Sequence, residues 1–149
     1  MPELAAVNAA ANAKAIRILL VEDSKFLRLA TERALTRAGY QMTTAADGDE
    51  ALRMALENRP DLILLDMLLP KMSGPDVLKA LKQNPATRLI PVVVMTALSQ
   101  INAARLENDG AFAFLEKSSL ELEKGSAKLL EVLREIIQKL SRSGRSATA

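Results

Sequence analysis

Residues 61–74 read DLILLDMLLPKMSG. Leu62, Ile63, Leu64 and Leu65 are apolar at every position, so a strand over Asp61 to Leu65 has no polar face and must be covered on both sides. The strand is entered just after Pro60 and ends at an acid, Asp66. A helix over Pro75 to Lys82 follows, with proline in its first turn and Val77, Leu78 and Leu81 as its buried stripe. A fully covered strand leading into a helix is the repeating unit of a parallel sheet.

Outward from this unit, the same alternation continues in both directions. Upstream, IRILLV at 16–21 reads as a buried strand, and Ser24 to Ala38 as a helix with Leu27, Ala30, Ala34 and Ala38 on its apolar stripe. Gly39 stands where a left-handed helix stop belongs. Tyr40 to Ala45 is predicted as the second strand, Asp47-Gly48 as a turn, and Asp49 to Glu57 as a helix with Ala51, Leu52 and Ala55 inward. Downstream, a loop with Pro85 and Pro91 leads into the fully apolar strand Val92 to Met95, and Gln100 to Asn108 reads as a short helix. Ala111 to Leu115 is the fifth strand, and Leu129, Leu130, Leu133, Ile136, Ile137 and Leu140 mark the last helix. Five strands alternating with five helices predict an α/β fold, a parallel sheet wound on both faces. Ligands of such sheets bind beyond the carboxyl ends of the strands.

Composition narrows the chemistry. The chain has 149 residues, 49% hydrophobic and 26% charged, which fits one domain, with tails over 1–14 and 141–149 around a body at 15–140. It has no cysteine and no histidine, which excludes thiolate and imidazole metal sites, thiol catalysis, Ser-His-Asp triads and a phosphohistidine of its own. With no Trp, one Tyr and three Phe, it offers no aromatic platform for single-stranded nucleic acid. The net charge of +2 resides in the tails: outside 16–140 lie Lys14, Arg142 and Arg145 against Glu3 alone, and the body is balanced. No direct nucleic-acid partner is expected from a balanced body. No apolar run approaches the length of a membrane span, and the Ala-rich N-terminus, interrupted by Glu3, Asn8 and Asn12, is not a signal peptide. The short stretch after Leu140 has no room for a DNA-binding module, so output by protein contact is expected. No glycine-rich nucleotide loop can be built from the glycines present.

The strand ends carry the informative residues. Glu22 and Asp23 end the first strand, Asp66 the third, Thr96 the fourth, and Glu116 and Lys117 the fifth. If the first and third strands are neighbours, their ends lie about 5 Å apart. Two carboxylates roughly 4 Å apart repel by about 4 kcal/mol at an effective dielectric near 20, so such a cluster must take up a proton or a cation. Lys117 offsets one of the three charges, and all-oxygen ligands without His or Cys favour Mg²⁺. A cation, a lysine, the Thr96 hydroxyl and a free carboxylate at Asp66 together form a place to receive a phosphoryl group.

ILLVEDS at 18–24, DLILLDMLLPKMSG at 61–74, PVVVMTA at 91–97 and AFAFLEK at 111–117 together resemble a response regulator receiver domain of two-component signalling. The resemblance covers roughly Ala15 to Leu140. It implies a flavodoxin-like sheet in the order 2-1-3-4-5. It implies Asp66 as phospho-acceptor, with Asp23 and Asp66 as direct Mg²⁺ ligands, Glu22 acting through a water, and the Leu68 carbonyl completing the shell. Thr96 and Phe114 would form the switch, and Lys117 would hold a phosphoryl oxygen.

By the same resemblance the donor is a histidine kinase or histidine phosphotransfer protein, and the location cytoplasmic. The output would be a downstream protein or a phosphorylation-dependent dimer, reached through the helix over 100–108, the fifth strand and the last helix. The protein would modify itself rather than turn over a substrate. Alternatives within the fold are a relay intermediate passing the phosphoryl to a histidine phosphotransfer protein, and a pseudo-receiver that only binds. A haloacid-dehalogenase-type phosphatase wants an acid two positions after the nucleophile, where Leu68 stands; a flavodoxin-like phosphate site is opposed by Glu22 and Asp23.

The sequence departs from the pattern at Ser118, where a proline commonly follows the lysine, and in the long stretch Ser118 to Gly125. Leu68 and Leu98 stand where polar side chains help place an attacking water, which predicts a long-lived phosphoryl-aspartate.

Overall fold

The computed structural model describes residues 15–96, 108–120 and 125–142, without the side chains at 118 and 119. In chain order the elements are β1 (Arg17–Val21), α1 (Lys25–Arg37), β2 (Gln41–Ala45), α2 (Gly48–Asn58), β3 (Leu62–Asp66), α3 (Gly74–Gln83), β4 (Val92–Thr96), β5 (Ala113–Glu116), the single turn α4 (Lys117–Leu120) and α5 (Ala127–Arg142). The strands form one parallel sheet in the order β2-β1-β3-β4-β5.

Side-chain alternation along the central strands divides the core in two. Leu19, Val21, Ile63, Leu65, Val92 and Val94 face α2 and α3, packing with Ala51, Ala55, Val77, Leu78 and Leu81. Ile18, Leu20, Leu62, Leu64, Val93 and Met95 face α1 and α5, packing with Leu35, Leu129, Leu133, Ile136 and Leu140. Both faces of β3 are therefore dry, as its unbroken apolar run requires. Burying one such leucine is worth about 1.5–3 kcal/mol relative to leaving it exposed.

Three local features differ from the pattern read in the sequence. In α1 the buried residues are Thr31 and Leu35, while Ala30 and Ala38 are exposed. Alanine contributes little contrast to a stripe, and Thr31 buries its methyl despite its polar class. Asp47-Gly48 is a helix start rather than a free turn: Asp47 caps α2 by accepting from the Glu50 N–H at 2.9 Å, and Glu50 accepts in return from the Ala46 N–H at 2.8 Å. β5 begins at Ala113 instead of Ala111, because Phe112 and Ala113 both pack toward the α1/α5 side and so break the strand alternation there. Gly39 does end α1 at φ +105°, as its position suggests. The helix expected over Gln100 to Asn108 falls, except for Asn108, outside the described residues, as do Leu98 and both tails up to Lys14 and beyond Arg142.

The register sets the working end of the sheet. Val21 pairs with Leu65, so Glu22 emerges beside Asp66. Asp66 pairs with Met95, and Thr96 pairs with Glu116 one residue before Lys117. Gly74 closes the loop after β3: its N–H donates to the Met67 carbonyl at 3.1 Å, and a Cβ there would lie 2.5 Å from the Met67 Cα.

Candidate functional site

β1 stops being a strand at Val21, and the Glu22 N–H then donates to the Ala45 carbonyl at 3.0 Å, which holds the acidic pair against the end of β2. Ser24 caps α1 through its Oγ, which accepts from the Leu27 N–H at 3.3 Å, while its own N–H donates to Glu22 Oε2 at 3.1 Å. Glu22 is 4% exposed as a result, whereas Asp23 next to it is open to solvent. Asp66, the last residue of β3, is 3% exposed. Its Oδ1 accepts from the Leu68 N–H at 3.0 Å.

The fold brings the carboxylates of Glu22, Asp23 and Asp66 together, each offering an oxygen within 4.8 Å of the others. Lys117 reaches into this group from the end of β5 and donates to Glu22 Oε1 and to Asp66 Oδ2, both at 2.8 Å. Burial pushes the Glu22 carboxyl above its ordinary value, the hydrogen bond from Lys117 pulls it back, and the charge of Asp66 raises it again, leaving it net high. Burial works against the Lys117 ammonium, but its bonds to Asp66 and Glu22 outweigh that and hold its pKa above the ordinary lysine value. The lysine thus supplies one positive charge to a space that gathers three negative ones.

This donor set fits Mg²⁺: three carboxylates, no nitrogen or sulfur ligand, and one acid facing water. Among the described residues each Asp66 oxygen has one donor, which leaves lone pairs for further contacts. Thr96 is fully buried at the end of β4. Phe114 pairs with Val94 and Glu116 with Thr96, so Thr96 and Phe114 share one face of the β4–β5 pair, one pleat repeat apart. Phe114 is half-buried against the core under α2 and α3. The Leu68 side chain is 53% exposed, and the chain after Lys117 turns at once into the short helix α4.

Two features of the site escaped the sequence. Arg28, one turn into α1, donates through Nη1 to the carbonyls of Glu22 at 2.9 Å and Asp23 at 3.3 Å. Its place five residues after Asp23 on a capped helix was the available signal. Asp47 pairs with Lys71 at 3.4 Å, linking the start of α2 to the loop after β3, where Lys71 adopts φ +68°. No pattern in the sequence joins those two.

The sequence profile described as "Response regulator receiver domain" matches residues 18–138. A gliding motility regulatory protein of Myxococcus xanthus is 41% identical over 119 residues, 78% of this chain but only 15% of that relative's length. Among solved structures, chemotaxis response regulator CheY4 of Vibrio cholerae superimposes with a TM-score of 0.71 at 29% identity, covering 82% of this chain and 98% of that one. The receiver domain of a sensor histidine kinase of Pseudomonas aeruginosa, solved with a magnesium ion coordinated in its active-site cleft, gives 0.69 at 29% identity over 81% and 96%.

Proposed function

The chain belongs to the response regulator receiver domain family, and on that premise we propose that it accepts a phosphoryl group from a partner's phosphohistidine onto Asp66 and signals through a protein surface. The observation that carries this reading is the convergence of Glu22, Asp23, Asp66 and Lys117 from three separate strand ends. These 149 residues contain no histidine, so the phosphohistidine lies outside them. Phe26 is 80% exposed on the first turn of α1, three residues past Asp23, and offers a donor protein an apolar contact beside the site.

In this reading an Asp66 oxygen attacks phosphorus in line and the bond to the donor nitrogen breaks, leaving an acyl phosphate. Glu22, Asp23, Asp66 and the Leu68 carbonyl would hold Mg²⁺, which when bound neutralises phosphoryl oxygens. Lys117 exchanges its bond to Asp66 Oδ2 for one to a phosphoryl oxygen. Thr96 donates its hydroxyl to another, and Phe114, on the same face, repacks behind it. The face of β5 and α5 carries that change to a partner. Leu68 positions no water, so the adduct is long-lived. A second reading, relay of the phosphoryl to a histidine phosphotransfer protein, is favoured by the likeness to a receiver domain carried by a histidine kinase.

The test is phosphorylation by phosphoramidate with Mg²⁺ and with chelator, read by intact mass for the wild type and Asp66→Ala. An added phosphoryl mass that requires both Mg²⁺ and Asp66 is expected. A folded protein that gains none is a binding-only member of the family.

A further inference from the structure

Resting on the phosphoryl-acceptor reading above, we propose that Arg28 is a positioning residue for the cation site: its guanidinium grips the main chain beneath Glu22 and Asp23 and so sets how tightly their carboxylates hold Mg²⁺. The two acids lie just past the last paired residue of β1, where the sheet still holds the Glu22 N–H through the Ala45 carbonyl at 3.0 Å. Their carbonyls need donors from elsewhere, and Arg28 Nη1 supplies one to each, at 2.9 Å to Glu22 and 3.3 Å to Asp23.

The backbone of Arg28 closes the same ring, since its N–H donates to the Ser24 carbonyl at 2.8 Å while the Ser24 N–H donates to Glu22 Oε2 at 3.1 Å. The segment from Glu22 to Ser24 is thus pinned from its carbonyl side by Arg28 and from its carboxylate side by Ser24 and Lys117. Three carboxylate oxygens can stay within 4.8 Å of one another only if the segment that carries two of them is held. Outer contacts of this kind orient metal ligands without touching the metal.

Charge alone argues the opposite sign. A guanidinium beside a cation site repels the cation, so removing it would tighten binding if position did not matter. The direction of the change therefore separates positioning from electrostatics. The experiment is calorimetric titration of Mg²⁺ into wild type, Arg28→Met and Arg28→Lys, with thermal melts of the metal-free proteins and phosphoramidate labelling across Mg²⁺ concentration.

Positioning predicts that Arg28→Met weakens Mg²⁺ binding on the order of tenfold. It also predicts that Mg²⁺ half-saturation of labelling moves with it while the plateau at saturating Mg²⁺ is kept. Arg28→Lys, which keeps the charge and part of the reach, falls between. Equal or tighter binding by Arg28→Met overturns the inference. If Arg28→Met does not melt cooperatively, Arg28→Lys decides alone: weaker binding than wild type supports the inference, equal or tighter binding overturns it. A wild type that binds no Mg²⁺ overturns the acceptor reading and this inference together, whereas wild-type binding matched by the variants overturns only the inference.

Discussion

β3 and β5 belong to one sheet and bring groups to one site, yet they are built to opposite standards. All five residues of β3 are buried and it is paired on both sides, whereas all four residues of β5 are partly exposed and, among the described residues, it is paired only with β4. β3 delivers Asp66, fixed by the Leu68 N–H and by Lys117. β5 delivers Phe114 and, at its end, Lys117. A nucleophile gains from a rigid mount, because an in-line attack tolerates little displacement. A reporter gains from a loose one, because edge elements with fewer buried contacts shift at lower free-energy cost. On the proposed function, Asp66 as acceptor and Phe114 as reporter would each stand on the strand that suits its part.

The largest break in this contrast comes from Lys117, whose side chain ties the end of β5 to Asp66 across the site. Lys117→Met is expected to slow phosphoramidate labelling on the order of a hundredfold. Breaking a buried ion pair costs on the order of 3 kcal/mol at neutral pH. The signs of the two raised pKa values follow from linkage. Glu22 contributes stability fully below its ordinary 4.5 and loses it as pH rises through the raised value; Lys117 contributes fully below 10.5 and loses it as pH climbs through its own raised value. In Lys117→Met the carboxylates repel with nothing between them, so the deficit should shrink in acid. Urea melts at pH 4 and pH 7 with the same deficit would reduce the lysine to a packing role.

Truncating one leucine on each strand sharpens the same comparison. Leu64→Ala, at a fully buried site, should cost about 3 kcal/mol in urea denaturation. Leu115→Ala, at a half-buried site facing the same core, should cost about 1 kcal/mol. Comparable losses would mean that the edge is as firmly packed as the centre.

Lifetime is a finer probe. Leu68→Asn introduces a side chain able to orient water beside Asp66 and should shorten the adduct half-life on the order of tenfold, a barrier change of about 1.4 kcal/mol. An unchanged decay in a mass time course would detach lifetime from this position.

The smallest effect is expected at Asp47, whose carboxyl is held below its ordinary 3.8, first by the Glu50 N–H and also by Lys71. A lowered carboxyl contributes stability above its unfolded value and loses it as pH falls through the folded one. Asp47→Asn keeps the cap but lacks the carboxylate's contribution, so its melting temperature should lie slightly below wild type at neutral pH and converge with it below pH 4. A parallel fall in both proteins would remove the Asp47 carboxylate from the acid response.

How much was legible in advance varies by residue. The runs at 18–21, 62–65 and 92–95 were plain because a strand covered on both faces admits no polar residue, and the stripe of α5 because its leucines and isoleucines contrast sharply with the charges between them. α1 was misphased because alanine reads equally well inside or outside. The start of β5 was misplaced because Phe112 packs on the same side as its neighbour Ala113.

By itself the sequence determined the order of strands and helices, the acids, hydroxyl and lysine at the strand ends, and the family to which those motifs belong, since each depends on residue type and local spacing. Only the tertiary structure decided that Lys117 lies 2.8 Å from both Glu22 and Asp66, residues 95 and 51 positions away. It alone decided that Arg28 grips the chain beneath the acids, that Asp47 meets Lys71, and that Thr96 and Phe114 share a face. Those contacts are set by strand register and by the packing of helices on the sheet, and local pattern holds no record of either.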